Sequence, residues 1–201
     1  DMAIRLFIGF RVSLLVAAAV TALSLFIGVI LGMIGGYLGG STDRVVRSST
    51  DFIWGFPLIL VAVLLVGGLG EGLFPVILAV GIVNVAAITR VVRGEVVGLK
   101  EKEFVEAARA AGVSSYRIMW RHLLPNVLAP ALIMASYLIA VAIIAEAALS
   151  FIGLGAQPPL PSLGKMIADG RGFLRINHWE ATIPGIGIVV LVLAVSMIGD
   201  G

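Results

Sequence analysis

Residues 12–36 read VSLLVAAAVTALSLFIGVILGMIGG, without one charged side chain, and nothing charged stands between Arg11 and Asp43. A helix rises about 1.5 Å per residue, so about 20 apolar residues cross a hydrocarbon core of about 30 Å. Residues 12–36 therefore predict a membrane-spanning helix. The charged residues that follow set the edges of four more spans: 52–70, 73–92, 123–151 (interrupted only by Glu146) and 181–198. These are continuous apolar runs, not the alternating ten-residue segments of a membrane β-barrel. The expected fold is an all-α, polytopic membrane helix bundle with five spans, one domain over 1–201.

Composition agrees. Of 201 residues, 60% are apolar and 13% charged, with a mean hydropathy of +1.11. Soluble domains run near 45–50% apolar and about 25% charged. This excess excludes a soluble globular enzyme, a disordered chain and a coiled coil. Cysteine is absent, so disulfides, zinc-thiolate sites and iron–sulfur clusters are excluded. The net charge of +2 reflects basic residues at membrane edges. No basic stripe with aromatics is left over for nucleic acid. The first apolar run is too long for a secretory signal and lacks a cleavage site. The chain opens on Asp1 and stops at Gly201 directly after a span, and so reads as a piece of a longer protein.

Basic residues orient the bundle. The loops at 37–51 and 93–122, with their edges, carry nine: Arg44, Arg47, Arg90, Arg93, Lys100, Lys102, Arg109, Arg117 and Arg121. The opposite side carries five: Arg5, Arg11, Lys165, Arg171 and Arg175. The first side is expected to be cytoplasmic. Gly28, Gly32, Gly36 and Gly40 recur every four residues, and such a ridge lets another helix approach closely. Gly28 and Gly32 are assigned to helix packing, Gly39 and Gly40 to a loop. Pro57 and Pro75 fall early in their spans, where proline is tolerated.

Residues 100–121, KEKEFVEAARAAGVSSYRIMWR, are too charged to span. Phe104, Ala107, Ala108 and Ala111 fall at i, i+3, i+4 and i+7, one helical face, while Glu101, Glu103, Glu106 and Arg109 take other faces. Gly112 is placed to stop the helix at C′, and Ser114 to N-cap a second helix that runs into the fourth span at Leu123–Pro125. The alanines leave a narrow rod, suited either to a groove on another protein or to lying on lipid headgroups.

Glu106-Ala107-Ala108, Gly112 and Leu124-Pro125 resemble, in residues and spacing, the EAA loop of ABC-importer permeases. His122 stands where the general pattern has Ile, and His122 to Asn126 is similar to the form found in the dipeptide/oligopeptide/nickel permease subfamily. Arg11-Val12-Ser13-Leu14, Gly35-Gly36-Tyr37, Glu146 with Leu149-Ser150-Phe151-Ile152-Gly153-Leu154-Gly155, Gln157-Pro158-Pro159, Asp169-Gly170-Arg171 and Gly199-Asp200-Gly201 follow in the subfamily's order. The resemblance implies a type I ABC-importer transmembrane domain, a prokaryotic cell-membrane permease of six spans lacking here its first span and C-terminal tail. It implies a homologous permease partner in a heterodimer, two ATP-binding subunits inside, and a substrate-binding protein outside.

The chain itself has no phosphate-binding loop: Gly164-Lys165 is followed by Met166, and Pro159 holds the place of the first glycine. ATP and magnesium would sit on the partner ATPase subunits, with no cofactor and no catalysis on this chain. The resemblance makes 100–121 a cytoplasmic coupling loop, with Glu103, Phe104, Glu106, Ala107, Ala108, Arg109, Ala111 and Gly112 as its ATPase-coupling residues. Glu106 would contact the ATPase, against the alternative of a solvated pair with Arg109. Pathway and gate candidates are Glu146, Asn84, Gln157 and Pro158. Glu146 is the one carboxylate inside an apolar stretch, a functional candidate unless it reaches headgroup level at its helix end. Residues 152–180 are expected as an extracytoplasmic loop or shallow re-entrant element that meets the binding protein. His122 and His178 fall on opposite faces, so no metal or haem site is expected. The expected cargo is a di- or oligopeptide, with nickel as the alternative. An ion-gradient carrier would want paired broken helices and more intramembrane charge, and an intramembrane hydrolase would need Ser and His, or two Asp, inside spans.

Overall fold

A computed structural model describes residues 2–199; Asp1, Asp200 and Gly201, the last two closing the final motif, lie outside the described residues. Every regular element among the described residues is helical. They are α1 (Met2–Leu38), α2 (Gly40–Trp54), α3 (Leu58–Leu69), α4 (Leu73–Leu99), α5 (Glu103–Ala110), α6 (Ser115–Arg117), α7 (Leu124–Phe151), α8 (Leu163–Gly170) and α9 (Trp179–Gly199), with a π-helical turn at Ile118–Leu123 and a 3-10 turn at Arg171–Phe173. Four helices are long and apolar enough to cross a membrane, and five crossings result if α2 and α3 count as one bent pair.

The second expected span departs from a straight helix. The 37–51 stretch, read as a loop, is helical through α2, and the chain breaks at Gly55–Pro57 before α3 starts. Proline disfavours helical geometry in the residue before it, which accounts for the break at Phe56. At 12 residues, α3 is about 18 Å long, too short to cross hydrocarbon alone.

The chain forms two compact units, Asp1–Ala22 with Phe56–Ile82 and Ser136–Gly201, and Leu23–Gly55 with Val83–Ala135. The core of the first collects Val12, Val16 and Val20 of α1, Ala62 of α3, Val76 and Val80 of α4, and Ala142, Ile143 and Leu149 of α7. The four-residue spacing on α1 and α4 puts each set on one helical face. The 152–180 segment is no loose loop. Ser162 N-caps α8, its Oγ accepting from the Lys165 amide at 3.3 Å, and Leu163 and Met166 are buried. A Cβ on Gly164 would fall 2.7 Å from Ala147 Cα, and one on Gly9 would fall 3.1 Å from Leu163. These glycines let α8 seat against α7 and α1. Asp169 adds ion pairs to Arg5 at 3.4 Å and Lys165 at 3.5 Å.

In the second unit, α1 and α4 interlock along a glycine ladder. A Cβ added at Gly28, Gly32 or Gly36 would fall 2.8 Å from the Cβ of Ile88, Val92 or Val96, respectively. The two rows ascend together, so α1 and α4 run in the same direction. The chain between them must therefore reverse direction before α4 begins. Helix α2 makes the return against α4. Its contacts pair Asp43 with Arg93, Asp51 with Arg90 and Trp54 with Val83, an antiparallel register. Gly39 and Gly40, with φ of +67° and +55°, make the corner between α1 and α2, where side-chain-bearing residues would be strained.

The strongest tie in this unit is ionic. Arg93 reaches Asp43 through Nε and, at 2.8 Å, through a terminal nitrogen, the two-pronged geometry that suits guanidinium and carboxylate. Arg47, one turn along α2, adds a contact at 2.9 Å. Helix α2 is too polar to be a span by itself.

Gly32→Leu should force α4 off α1 and destabilise the chain by about 1–3 kcal/mol, read as a lowered melting temperature in detergent. Asp43→Asn leaves Arg93 half-paired, for an expected loss of about 2–3 kcal/mol, somewhat below the cost of breaking a fully buried pair.

Candidate functional site

The 100–121 segment, expected to couple to an ATPase, enters its helix at Lys102, whose extended backbone precedes α5. Its C-terminus is a Schellman motif. The Gly112 amide donates to the Arg109 carbonyl at 2.9 Å and the Val113 amide to the Ala108 carbonyl at 3.0 Å, the paired bonds that close a helix around a left-handed C′ residue. Gly112 has φ +76°, which is why the position takes glycine. Ser114 follows in extended conformation as the N-cap of α6, without a side-chain capping bond. The π-helical turn at Ile118–Leu123 then carries the chain into α7.

The face that α5 turns inward is made by Val105 and Ala108, alongside the fully buried Ile118 and Leu123. Ala108, expected on the open face with Phe104, Ala107 and Ala111, is instead part of the seat. It lies three residues after Val105, and the larger Val105 decides which side is buried. Glu103, Phe104, Glu106, Ala107, Arg109, Ala111 and Gly112 are exposed. Arg109 does not pair with Glu106: its guanidinium lies 5.4 Å from the centre of the Tyr37 ring of α1. Among the described residues no ion pair engages Glu103 or Glu106. Lys100 Nζ donates to the Gly36 carbonyl at 3.3 Å, fastening the end of α4 beside the segment. The result is an acidic, partly apolar surface on a short helix held at both ends.

The second candidate group lies in the first unit. Glu146 is fully buried. Its carboxyl oxygens accept from Ser13 Oγ of α1 at 2.9 Å and from Ser150 Oγ, one turn along α7, at 2.7 Å. Ser150 Oγ in turn accepts from the Ala156 amide at 3.2 Å. Helix α7 ends in a second Schellman motif: Gly153 (φ +92°) donates to Ser150 and Leu154 to Leu149. Gly155 lies so close to Ser150 that a Cβ there would fall 2.8 Å from Ser150 Cα. Glu146 is thus enclosed by protein, with no basic partner among the described residues. It staples α1, the end of α7 and the turn that follows.

Gln157 donates from Nε2 to the carbonyls of Gly153 at 2.9 Å and Gly155 at 3.3 Å, so its amide is engaged in shaping that turn. Pro158 is exposed on the turn. Asn84, on α4 in the second unit, is buried with an Nδ2 that has no acceptor among the described residues. Gly28 and Gly32 lie on the α1–α4 ladder. Ser13, Asp43 and Arg93 were not among the expected site residues. The signal for Ser13 was its place on the stripe Ser13, Ala17, Val20 and Ser24, all fully buried at helical spacing. For Asp43 it was an acidic residue opening a helix whose next turn carries an arginine.

Comparison with known proteins adds four findings. The family model described as "Binding-protein-dependent transport system inner membrane component" matches residues 28–201. The dipeptide transport system permease protein DppC of Alkalihalophilus pseudofirmus is 41% identical over the whole chain, which spans 66% of that protein's length. The glutathione transport system permease protein GsiD of Pectobacterium atrosepticum is 36% identical over the whole chain, which spans 67% of it. Among solved structures, the MetNI methionine ABC transporter in an inward-facing conformation superposes with a TM-score of 0.79, covering 99% of this chain and 94% of that one at 21% identity, a likeness of fold. Taken with the helical bundle, these matches show that the chain belongs to the binding-protein-dependent transport system inner membrane components.

Proposed function

We propose that the chain is a permease subunit of an ATP-driven importer in a prokaryotic cell membrane, lining half of a translocation path for di- or oligopeptides. The observation that carries this reading is the outward face of α5. Glu103, Phe104, Glu106, Ala107 and Ala111 are exposed on a helix locked from below by Val105 and Ala108. A rigid, small-residue helix with an acidic edge suits a groove on an ATPase subunit, and the chain has no phosphate-binding loop of its own. ATP and magnesium belong to two such ATPase subunits, with a homologous permease as partner in the membrane and a binding protein outside. The peptide cargo follows the names of the relatives, which are dipeptide, glutathione and peptide permeases.

In this mechanism nucleotide binding and hydrolysis change the spacing of the ATPase subunits, and the docked α5 helices carry that change into the bundle as a rigid-body motion. The inward- and outward-open bundles must differ in their free energy of contact with ATPase and binding protein for the cycle to be driven. Glu146 acts as scaffold: it holds the 152–157 turn, and hence the approach to α8, against α1 and α7.

Glu106→Lys reverses charge on the exposed face without touching the seat. In the assembled importer it should cut retention of the ATPase subunits at least tenfold and abolish uptake, with the melting temperature of the permease unchanged. Gly112→Pro, which removes a Schellman donor and cannot adopt the φ of +76°, should do the same with a clear loss of stability. Wild-type ATPase retention in both variants would overturn the docking role. Glu146→Ala strands two buried hydroxyls and opens a cavity, so a destabilisation of about 2–5 kcal/mol is expected. A melting temperature equal to wild type would sink the staple.

A further inference from the structure

Between α2 and α4 lies a hollow of about 210 Å³, walled by Arg47, Thr50, Asp51, Thr89, Arg90 and Arg93. Counting Asp43, which engages Arg47 and Arg93, three guanidiniums meet two carboxylates and leave one positive charge over. Each guanidinium has five N–H donors. The ion pairs of Arg47 and Arg90 each run through one terminal nitrogen, to Asp43 at 2.9 Å and Asp51 at 2.8 Å. Both side chains keep solvent access, at 59% and 38% exposure. The hollow therefore offers surplus charge and surplus donors to an anion. Helix packing uses the Asp43–Arg93 pair but has no need of this excess.

What surrounds the hollow selects the kind of anion. The Arg90 guanidinium stacks 3.9 Å from the centre of the Trp54 ring, and Trp54 Nε1 donates to the Val83 carbonyl at 3.3 Å. Trp54 and Phe52 are exposed at 49% and 70%. Arg90 and Arg93 fall at the charged end of the 73–92 span, and Trp54 packs toward the span's middle beside Val83, so these arginines stand at headgroup depth with an apolar ring on their hydrocarbon side. A free inorganic anion gains nothing from the rings, whereas a phospholipid uses both features at once. We propose that this hollow binds the phosphodiester headgroup of an anionic phospholipid, with its acyl chains against Phe52 and Trp54. Basic pockets between membrane helices are suited to this chemistry. The bound headgroup would bridge α2 and α4 and strengthen their antiparallel pairing. Asp51 is the opposing charge and sets the affinity below what three arginines alone would give.

The test uses the assembled importer with full-length subunits, purified in detergent and titrated with dioleoyl phosphatidylglycerol or dioleoyl phosphatidylcholine, with bound lipid counted by native mass spectrometry. Phosphatidylglycerol should bind at least tenfold more tightly than phosphatidylcholine. Arg47→Gln, which leaves Asp43 paired with Arg93, should weaken phosphatidylglycerol binding about fivefold. Asp51→Asn removes the opposing charge and should tighten it by a similar factor. Opposite shifts from two exposed positions cannot come from general unfolding. Equal binding of the two lipids, or no change in either variant, would overturn the proposal. Full displacement of phosphatidylglycerol by millimolar inorganic phosphate would assign the hollow to a free anion and overturn the lipid reading.

Discussion

Hydrocarbon offers no hydrogen-bond partner to a peptide group, so a chain that crosses it must satisfy its backbone from within and can stop a helix only with care. In or out of hydrocarbon, a left-handed glycine lets a helix stop with its last carbonyls bonded. At the two ends that matter most, the close of α5 and the close of α7, the last carbonyls are bonded by a left-handed glycine, Gly112 or Gly153, and by the apolar residue after it. The same local device serves two tasks. After α5 it turns the chain back toward the membrane as α6. After α7 it starts the turn that leads to α8, and the polar atoms it leaves in reach are gathered by Ser150 and Glu146.

Lateral packing obeys a related rule. Lipid tails are as apolar as leucine, so helices gain little from burying apolar surface against each other and associate through close contact and polar ties. Each compact unit uses both means. In one, the Gly28–Gly32–Gly36 ladder brings α1 onto α4, and Asp43–Arg93 fixes α2 beside it. In the other, Gly9 and Gly164 admit α8, and Glu146 ties α1 to α7 through Ser13. Dispersion contacts need near-touching atoms, so ladder positions admit no Cβ. Polar ties work in a dry setting only when every partner is present.

Much of this was legible in the sequence because hydrophobic length and charged edges report directly on membrane crossing. The long spans, the EAA segment, the C′ role of Gly112 and the glycine ridge all rest on spacing or on a single residue's φ preference. What escaped was tertiary choice. Polar residues at 40–51 looked like a loop because an amphipathic helix lying against a neighbour and a solvated loop can share a composition. The side of α5 that is buried was misjudged at Ala108, since alanine carries too little surface to declare a face and Val105 outweighed it. Glu146 was conspicuous as an isolated carboxylate, but its partners Ser13 and Ser150 were not, because serine in an apolar helix is inconspicuous until another helix brings a carboxylate to it.

The mechanical consequence concerns stiffness. A coupling element transmits displacement only if it is stiffer than the interface that pushes it. Helix α5 alone, at eight residues, is too short to be stable in water. Its rigidity is borrowed from Val105 and Ala108 below, the Gly112 motif at one end, and Tyr37 and Gly36 of α1, which receive Arg109 and Lys100. Those last two contacts land on the end of the helix whose glycine ladder meshes with α4. In the proposed docking role, a push on α5 would therefore be delivered to two helices already locked together, and the pair would move as one body. Were α5 tethered by a flexible linker instead, ordering that linker would absorb the displacement. The glycines that make close packing possible are thus also what makes the lever stiff, and loosening the ladder should weaken coupling even where α5 itself remains intact.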